Sequence, residues 1–331
     1  MRTINEEKIR EHINGALALR PQIEAAVDEQ EQKGIKNVCF LGIGGTYASG
    51  LDAVTQLKAS SAREVFAEEA ASYNTTGNRR IGEGTLVVIS SVTGTTAEVV
   101  TAVQKAKDRG AYVLGFVNKE GSSLAELSDT CIRFAGEEQL KFAMVVDRLL
   151  YLESLFPAYD RFYSQLKNCL AKDLISVQKQ ADTFGLAFAQ KHADDQFHCF
   201  VGEGNTFGAV YSYAMCYCEE MHWMRTKSIH AGEFFHGTLE IVDRDTPVTV
   251  VIGEDAERPL GERVAAFLPR VCANFTVIDT ADYAMPGIDD VFRSRLSNYI
   301  FHAVFSRMDA YLEAVSCHPM EIRRYYRVLE Y

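Results

Sequence analysis

The chain repeats itself at a spacing of about 160 residues, and this constrains its fold more than any other feature. Residues 40–46 (FLGIGGT) and 200–206 (FVGEGNT) share the pattern Phe, apolar, Gly, x, Gly, x, Thr, at an offset of 160. Residues 85–90 (TLVVIS) are echoed by 247–252 (PVTVVI) at an offset of 162, and 111–116 (AYVLGF) by 274–279 (NFTVID) at 163. Three runs that keep their order and nearly their spacing indicate a duplicated unit. Each run is short, rich in β-branched residues and flanked by Gly or polar residues, as buried parallel strands are. Longer stretches of helical character lie between them. In residues 95–110, Ala97, Val100, Val103 and Ala106 fall at helical spacing and Gly110 marks a stop. Strands alternating with helices predict an α/β protein in which each copy is a parallel sheet flanked by helices, a flavodoxin-like three-layer sandwich.

The expected organisation is an N-terminal helical segment at 1–34, a first α/β domain at 35–150, a helical connector at 151–195 and a second α/β domain at 196–331. A length of 331 residues suits two such domains. With 34 Lys and Arg against 45 Asp and Glu, the net charge is −11, the wrong sign for a protein that neutralises nucleic-acid phosphates. No apolar run reaches the roughly 18 residues that a membrane span needs. The opening residues mix both charge signs and do not read as a signal peptide. The eight cysteines are irregularly spaced and read as reduced thiols, mostly buried. These features predict a cytoplasmic protein with neither a nucleic-acid nor a membrane partner.

Ligands of open parallel sheets bind beyond the carboxyl ends of the strands. In the first copy, two loops there are rich in hydroxyls: 42–49 (GIGGTYAS) and 90–96 (SSVTGTT). The second leads into a helix, whose N-terminus presents free N–H groups and a positive dipole end. Capping would use one hydroxyl, whereas Ser91, Thr93, Thr95 and Thr96 surround Gly94. A phosphate suits the surplus. The matching loop of the second copy is 253–257 (GEDAE), whose acids would repel one. A nucleotide cofactor is not expected. Tyr47 stands where a dinucleotide fingerprint needs its third Gly, and no Gly-Lys-Ser or Gly-Lys-Thr occurs.

The densest polar chemistry lies between Cys216 and Glu240, with Glu219, Glu220, His222, His230, Glu233 and His236. Carboxylates beside imidazoles can move protons between carbon and oxygen. Phe234 and Phe235 could shield His236 from water. On a helix, Glu219 would point away from Glu220, since one residue is a turn of about 100°. A metal is the rival reading for His230, Glu233 and His236. Their spacing on a helix spreads them too widely to converge, so no metal is expected.

These residues resemble a known family. The duplicated fold, the loop 44–47 (GGTY) and the loop 91–96 (SVTGTT) look like the sugar isomerase (SIS) domain, and 231–237 (AGEFFHG) resembles its Gly-Glu-x-x-His-Gly-Pro signature. A nearer resemblance is to the deglycases of phosphorylated Amadori products, which share Gly-Glu-Phe-x-His-Gly and the tail Arg323, Arg324, Tyr325, Glu330, Tyr331. Two tandem SIS domains are therefore implied. By resemblance, Thr46, Ser91, Thr93 and Thr96 bind the substrate phosphate. Glu220, sixteen residues before His236, is the catalytic carboxylate, with His236 its partner. Gly45, Gly94, His230, Glu233, Arg323 and Tyr331 are further candidates for substrate contact. Thr238 stands where the family has Pro, and the C-terminal Lys of the amino-group-transferring synthases has no counterpart.

The resemblance implies an enzyme that cleaves a 6-phosphorylated sugar–amino acid conjugate, such as fructoselysine 6-phosphate or glucoselysine 6-phosphate, to a hexose 6-phosphate and a free amino acid, without a cofactor. Aldose–ketose phosphosugar isomerases and aminosugar-phosphate deaminases use the same residues and remain the alternative. A non-catalytic phosphosugar sensor would leave Glu220 and His236 idle. The resemblance also implies a homodimer or higher homo-oligomer with shared active sites, Glu220 and the phosphate loops coming from one chain and His236 from its neighbour.

Overall fold

A computed structural model describes residues 2–330. The chain divides into two compact units, one spanning residues 7–171 and the other joining residues up to 6 with those from 172 onward. The division falls inside the stretch read as a helical connector. The first residues join the second unit because Arg307 donates to the carbonyl of Arg2, and the Arg2 N–H donates to the Tyr311 hydroxyl.

The first unit holds strands β1 (Asn37–Gly42), β2 (Glu64–Glu69), β3 (Thr85–Ser91), β4 (Tyr112–Val117) and β5 (Thr130–Ile132). All pair in parallel, in the order β2-β1-β3-β4-β5. Alternate residues face opposite sides. Cys39, Leu41, Val87, Ile89 and Val113 pack with Val99, Ala102, Val103 and Ala106 of helix Ala97–Asp108. The buried stripe of that helix thus includes Val99 and Ala102 as well as Val103 and Ala106; of the other two positions given by spacing, Val100 is partly buried against this cluster and Ala97 is exposed. On the other face, Phe40 and Phe116 lie 5.1 and 6.2 Å from Phe142 of helix Glu138–Leu152. Burying one such ring contributes roughly 1.5–3 kcal/mol.

The second unit holds β6 (His198–Gly202), β7 (Thr226–His230), β8 (Val248–Ile252) and β9 (Phe275–Asp279), parallel in the order β7-β6-β8-β9. Cys199, Val201, Val248 and Val250 pack on Val264 and Leu268 on one face. On the other, Phe200 meets Tyr213, which stacks on Phe305 of helix Ser297–Ser316. The three repeated runs become β1 and β6, β3 and β8, β4 and β9, at matching places in the two sheets. Two of the four edge strands, β2 (EVFAEE) and β7 (TKSIH), carry no continuous apolar run. An edge strand is half solvated and carries charge.

The described cysteines are free thiols. Cys39, Cys199, Cys218 and Cys272 are buried, Cys131, Cys169 and Cys216 half-buried, and Cys317 exposed, so burial is less general than composition suggested. No described helix is long and apolar enough to cross a membrane.

Candidate functional site

The two hydroxyl loops of the first unit meet at the carboxyl edge of its sheet, because β1 and β3 are neighbours there. Gly44, at φ +60°, turns the chain from β1 into helix Gly45–Lys58, which begins at Gly45. Thr46 Oγ1 donates to Glu138 Oε2 (3.0 Å) and lies 3.4 Å from the Ser90 carbonyl, so it bridges the loops. Glu138, at the start of its helix, went unnoticed in the sequence. In the loop after β3, Ser91 Oγ accepts the Gly94 N–H at 2.9 Å. Gly94 has φ +66°, and a Cβ there would meet Ser122 Oγ at 2.0 Å, so glycine is required. Thr96 precedes helix Ala97–Asp108 without a side-chain capping bond. Capping therefore does not account for its hydroxyl. Ser91, Thr93 and Thr96 are half-buried.

The equivalent edge of the second sheet has a different solution. Gly204, at φ +51°, makes the matching turn after β6. Here Asp255 Oδ2 accepts the Asn205 N–H (2.6 Å) and Glu257 Oε2 accepts the Gly204 N–H (3.2 Å). The protein's own carboxylates thus occupy N–H groups at the counterpart of the first loop. These carboxylates therefore exclude an anion by occupancy as well as by repulsion.

Beneath this loop, Glu203 is fully buried, and its Oε1 accepts the Gly253 N–H at 2.7 Å. Burial, with Asp255 and Glu257 adding repulsion, pushes its carboxyl up to about 8. The unfolded chain releases that proton near pH ~4.3. Between these values the folded state holds a proton that the unfolded state has lost, so stability is full at acid pH and falls as pH rises toward 8. The loss is expected to reach a few kcal/mol, on the order of 1.4 per pH unit. Denaturant midpoints measured from pH 5 to 8 should fall in the wild type, and more shallowly in Glu203→Gln. Equal slopes would refute the assignment.

Glu220 lies elsewhere in this unit, in a cleft of about 640 Å³. Asp195, Glu219, His222, Trp223, Arg225 and Thr226 line it, with the tail residues Arg323, Arg324, Tyr325 and Tyr326. Residues 213–219 are wound as a π-helix, with the Glu220 N–H on the Met215 carbonyl at 3.1 Å. Such segments often mark functional sites. Arg323 Nε donates to Glu220 Oε1 at 2.8 Å and fixes the carboxylate's direction. Glu219 does not leave this wall as helix geometry predicted. Thr226, at the start of β7, donates to its Oε1 at 2.7 Å and keeps it there. Trp223 takes φ +59° and sits under the Arg324 guanidinium, 4.2 Å away. His222 Nε2 is 3.0 Å from Asp309 Oδ1, and burial raises the pKa of that carboxyl. No local pattern marks this pairing across 87 residues. Tyr331 lies outside the described residues.

The rest of the polar cluster separates from Glu220. Thr226 and His230 are the two ends of β7, which at ~3.3 Å per residue lie roughly 13 Å apart. His230 closes the carboxyl end, where its Nδ1 accepts the Gly232 N–H and its Nε2 meets Glu257 at 3.1 Å. Glu233 and His236 are exposed. His236 ends a short 3-10 turn, Phe234–His236, so these residues are not the single helix on which the metal spacing was judged. Phe234 is core, and Phe235 packs on Phe267 at 5.4 Å; they support the turn and do not shield His236.

Residues 33–156 match the SIS domain model. The chain is 28% identical over 323 residues to fructosamine deglycase FrlB of Bacillus subtilis (strain 168), covering 94% of this chain and 97% of that one. It is 22% identical over 310 residues to fructoselysine 6-phosphate deglycase of Escherichia coli (strain K12), covering 92% and 90%. A solved Bacillus subtilis structure assigned to the phosphosugar isomerases superposes with a TM-score of 0.88 at 26% identity, over 96% of this chain and 99% of that one.

Proposed function

We infer that this chain, whose residues 33–156 are a SIS domain, is a deglycase of a 6-phosphorylated sugar–amino acid conjugate, and that its second α/β unit is a SIS domain in tandem with the first. The observation that carries the reading is Glu220, a carboxylate fixed by Arg323 in a cleft large enough for a sugar conjugate. Full-length similarity to two deglycases supports it. The loops around Thr46, Ser91, Thr93 and Thr96 hold the substrate phosphate in this reading.

His236 opens the sugar ring by moving a proton at the ring oxygen. Glu220 removes a proton from carbon 1 of the 1-amino-ketose, forming an enaminol, and returns it to carbon 2. The product is the imine of an aldose, which water cleaves to hexose 6-phosphate and free amine. Each positioned acid or base contributes about 10²–10⁴-fold.

His236 is exposed and lies at the opposite end of β7 from the Glu220 cleft. In this reading it serves the site of a neighbouring copy in a homodimer with shared active sites, located in the cytoplasm. The test of function is incubation with fructoselysine 6-phosphate and related conjugates. Free amine and hexose 6-phosphate should form in equal amounts. Interconversion of aldose and ketose phosphates without amine release from any conjugate would replace this reading with the isomerase.

A further inference from the structure

We propose that His192, Asp195 and His198 form a binding site for a divalent transition-metal ion, with zinc as the fitting ion. His192 ends helix Asp182–His192, and His198 opens β6. The ligand atoms of the three side chains lie within 4.8 Å of one another. His192 Nδ1 and His198 Nδ1 stand 2.7 and 3.0 Å from the same oxygen, Asp195 Oδ2. Two imidazoles aimed at one carboxylate oxygen mark a point where three ligands converge.

The chemistry of the set selects the ion. Two imidazoles and a carboxylate suit zinc and its neighbours, whereas calcium and magnesium prefer oxygen alone. Zinc holds such ligands at about 2.0–2.2 Å, which puts tetrahedral neighbours roughly 3.3 Å apart. The observed spacing needs to open by only a few tenths of an ångström. Both histidines are fully buried, so their rings are held by packing. His198 Nε2 lies 2.8 Å from Thr249 Oγ1, the kind of outer partner that fixes a ligating imidazole. Each ring would turn its Nδ1 lone pair to the ion and carry its proton on Nε2.

An entry path is present, because Asp195 lines the cleft that also holds Glu220. Water from that side would fill the fourth position. The ion would tie the end of helix Asp182–His192 to the start of β6. This site is separate from His230, Glu233 and His236, the segment whose residue types first suggested a metal.

The test uses the full chain stripped with chelator, then titrated with zinc in a calorimeter and with cobalt in a spectrophotometer. The expected result is one zinc per chain, a rise in Tm, and cobalt absorption bands of a four-coordinate nitrogen–oxygen site. Asp195→Asn, which keeps the side-chain shape, should weaken zinc binding at least about tenfold. A Glu233→Gln, His236→Ala double variant should bind zinc as the wild type does. The cobalt spectrum needs no variant and so does not depend on whether Asp195→Asn folds. Absence of binding by the wild type would overturn the proposal. So would binding that survives Asp195→Asn unchanged, or binding that the double variant abolishes.

Discussion

Glu220→Gln is expected to lower kcat by at least about 100-fold while leaving substrate binding nearly intact. The amide keeps the shape of the carboxylate and can still accept the Arg323 N–H. It cannot take a proton from carbon, and that is the step assigned to Glu220. Glu219→Gln is a demanding control, because Glu219 lines the same cleft. Its carboxylate is engaged by Thr226, so its loss should cost far less. An inactive Glu219→Gln beside an active Glu220→Gln would transfer the role to the neighbour. The assembly is tested with the same variant. Glu220→Gln and His236→Ala should each be nearly inactive alone. Allowed to exchange subunits, they should recover roughly a quarter of wild-type activity, since half the dimers are mixed and half of their sites carry no lesion. No recovery despite demonstrated exchange would mean that each site is built within one chain.

The second large effect is expected at the phosphate loops. Each hydrogen bond to a charged oxygen contributes about 1.5–3 kcal/mol. Removing two hydroxyls with Ser91→Ala, Thr93→Ala should therefore weaken binding of hexose 6-phosphate on the order of 10²–10⁴-fold. Ser91 Oγ also accepts the Gly94 N–H, so the single Ser91 variant should disturb the loop as well as the contact. Thr93→Ala alone separates the two effects. Binding of the phosphosugar by the double variant at wild-type strength would remove these loops from the site. Parallel titration with the unphosphorylated sugar supplies the control, since both proteins should bind it equally poorly.

Much of this protein can be read from the chain alone. β9, the counterpart of β4, is a half-buried edge strand, but the inner strands β1, β3 and β4, with β6 and β8 of the second sheet, are buried on both faces. They must be continuously apolar, so they stand out in a sequence and reveal the duplication. The hydroxyl loops are equally legible, because a turn out of a strand into a helix needs Gly44 and Gly94 at positive φ and draws Ser and Thr around them. The edge strands β2 and β7 are hidden, since they mix charge into a half-solvated surface.

Which polar residues share a space is settled only when the chain packs. Glu220 through His236 is one local cluster of acids and imidazoles in the sequence, yet β7 runs through it and sends its two ends to opposite edges of a sheet. Glu220 instead meets Arg323, 103 residues away, and His222 meets Asp309. Asp255 and Glu257 do not merely repel an anion from their own loop but fill the Asn205 and Gly204 N–H groups of the neighbouring one. Local pattern follows from backbone sterics and burial, which act residue by residue. The pairing of distant charges follows from how the packed helices and strands bring them together, and no period in the sequence records it.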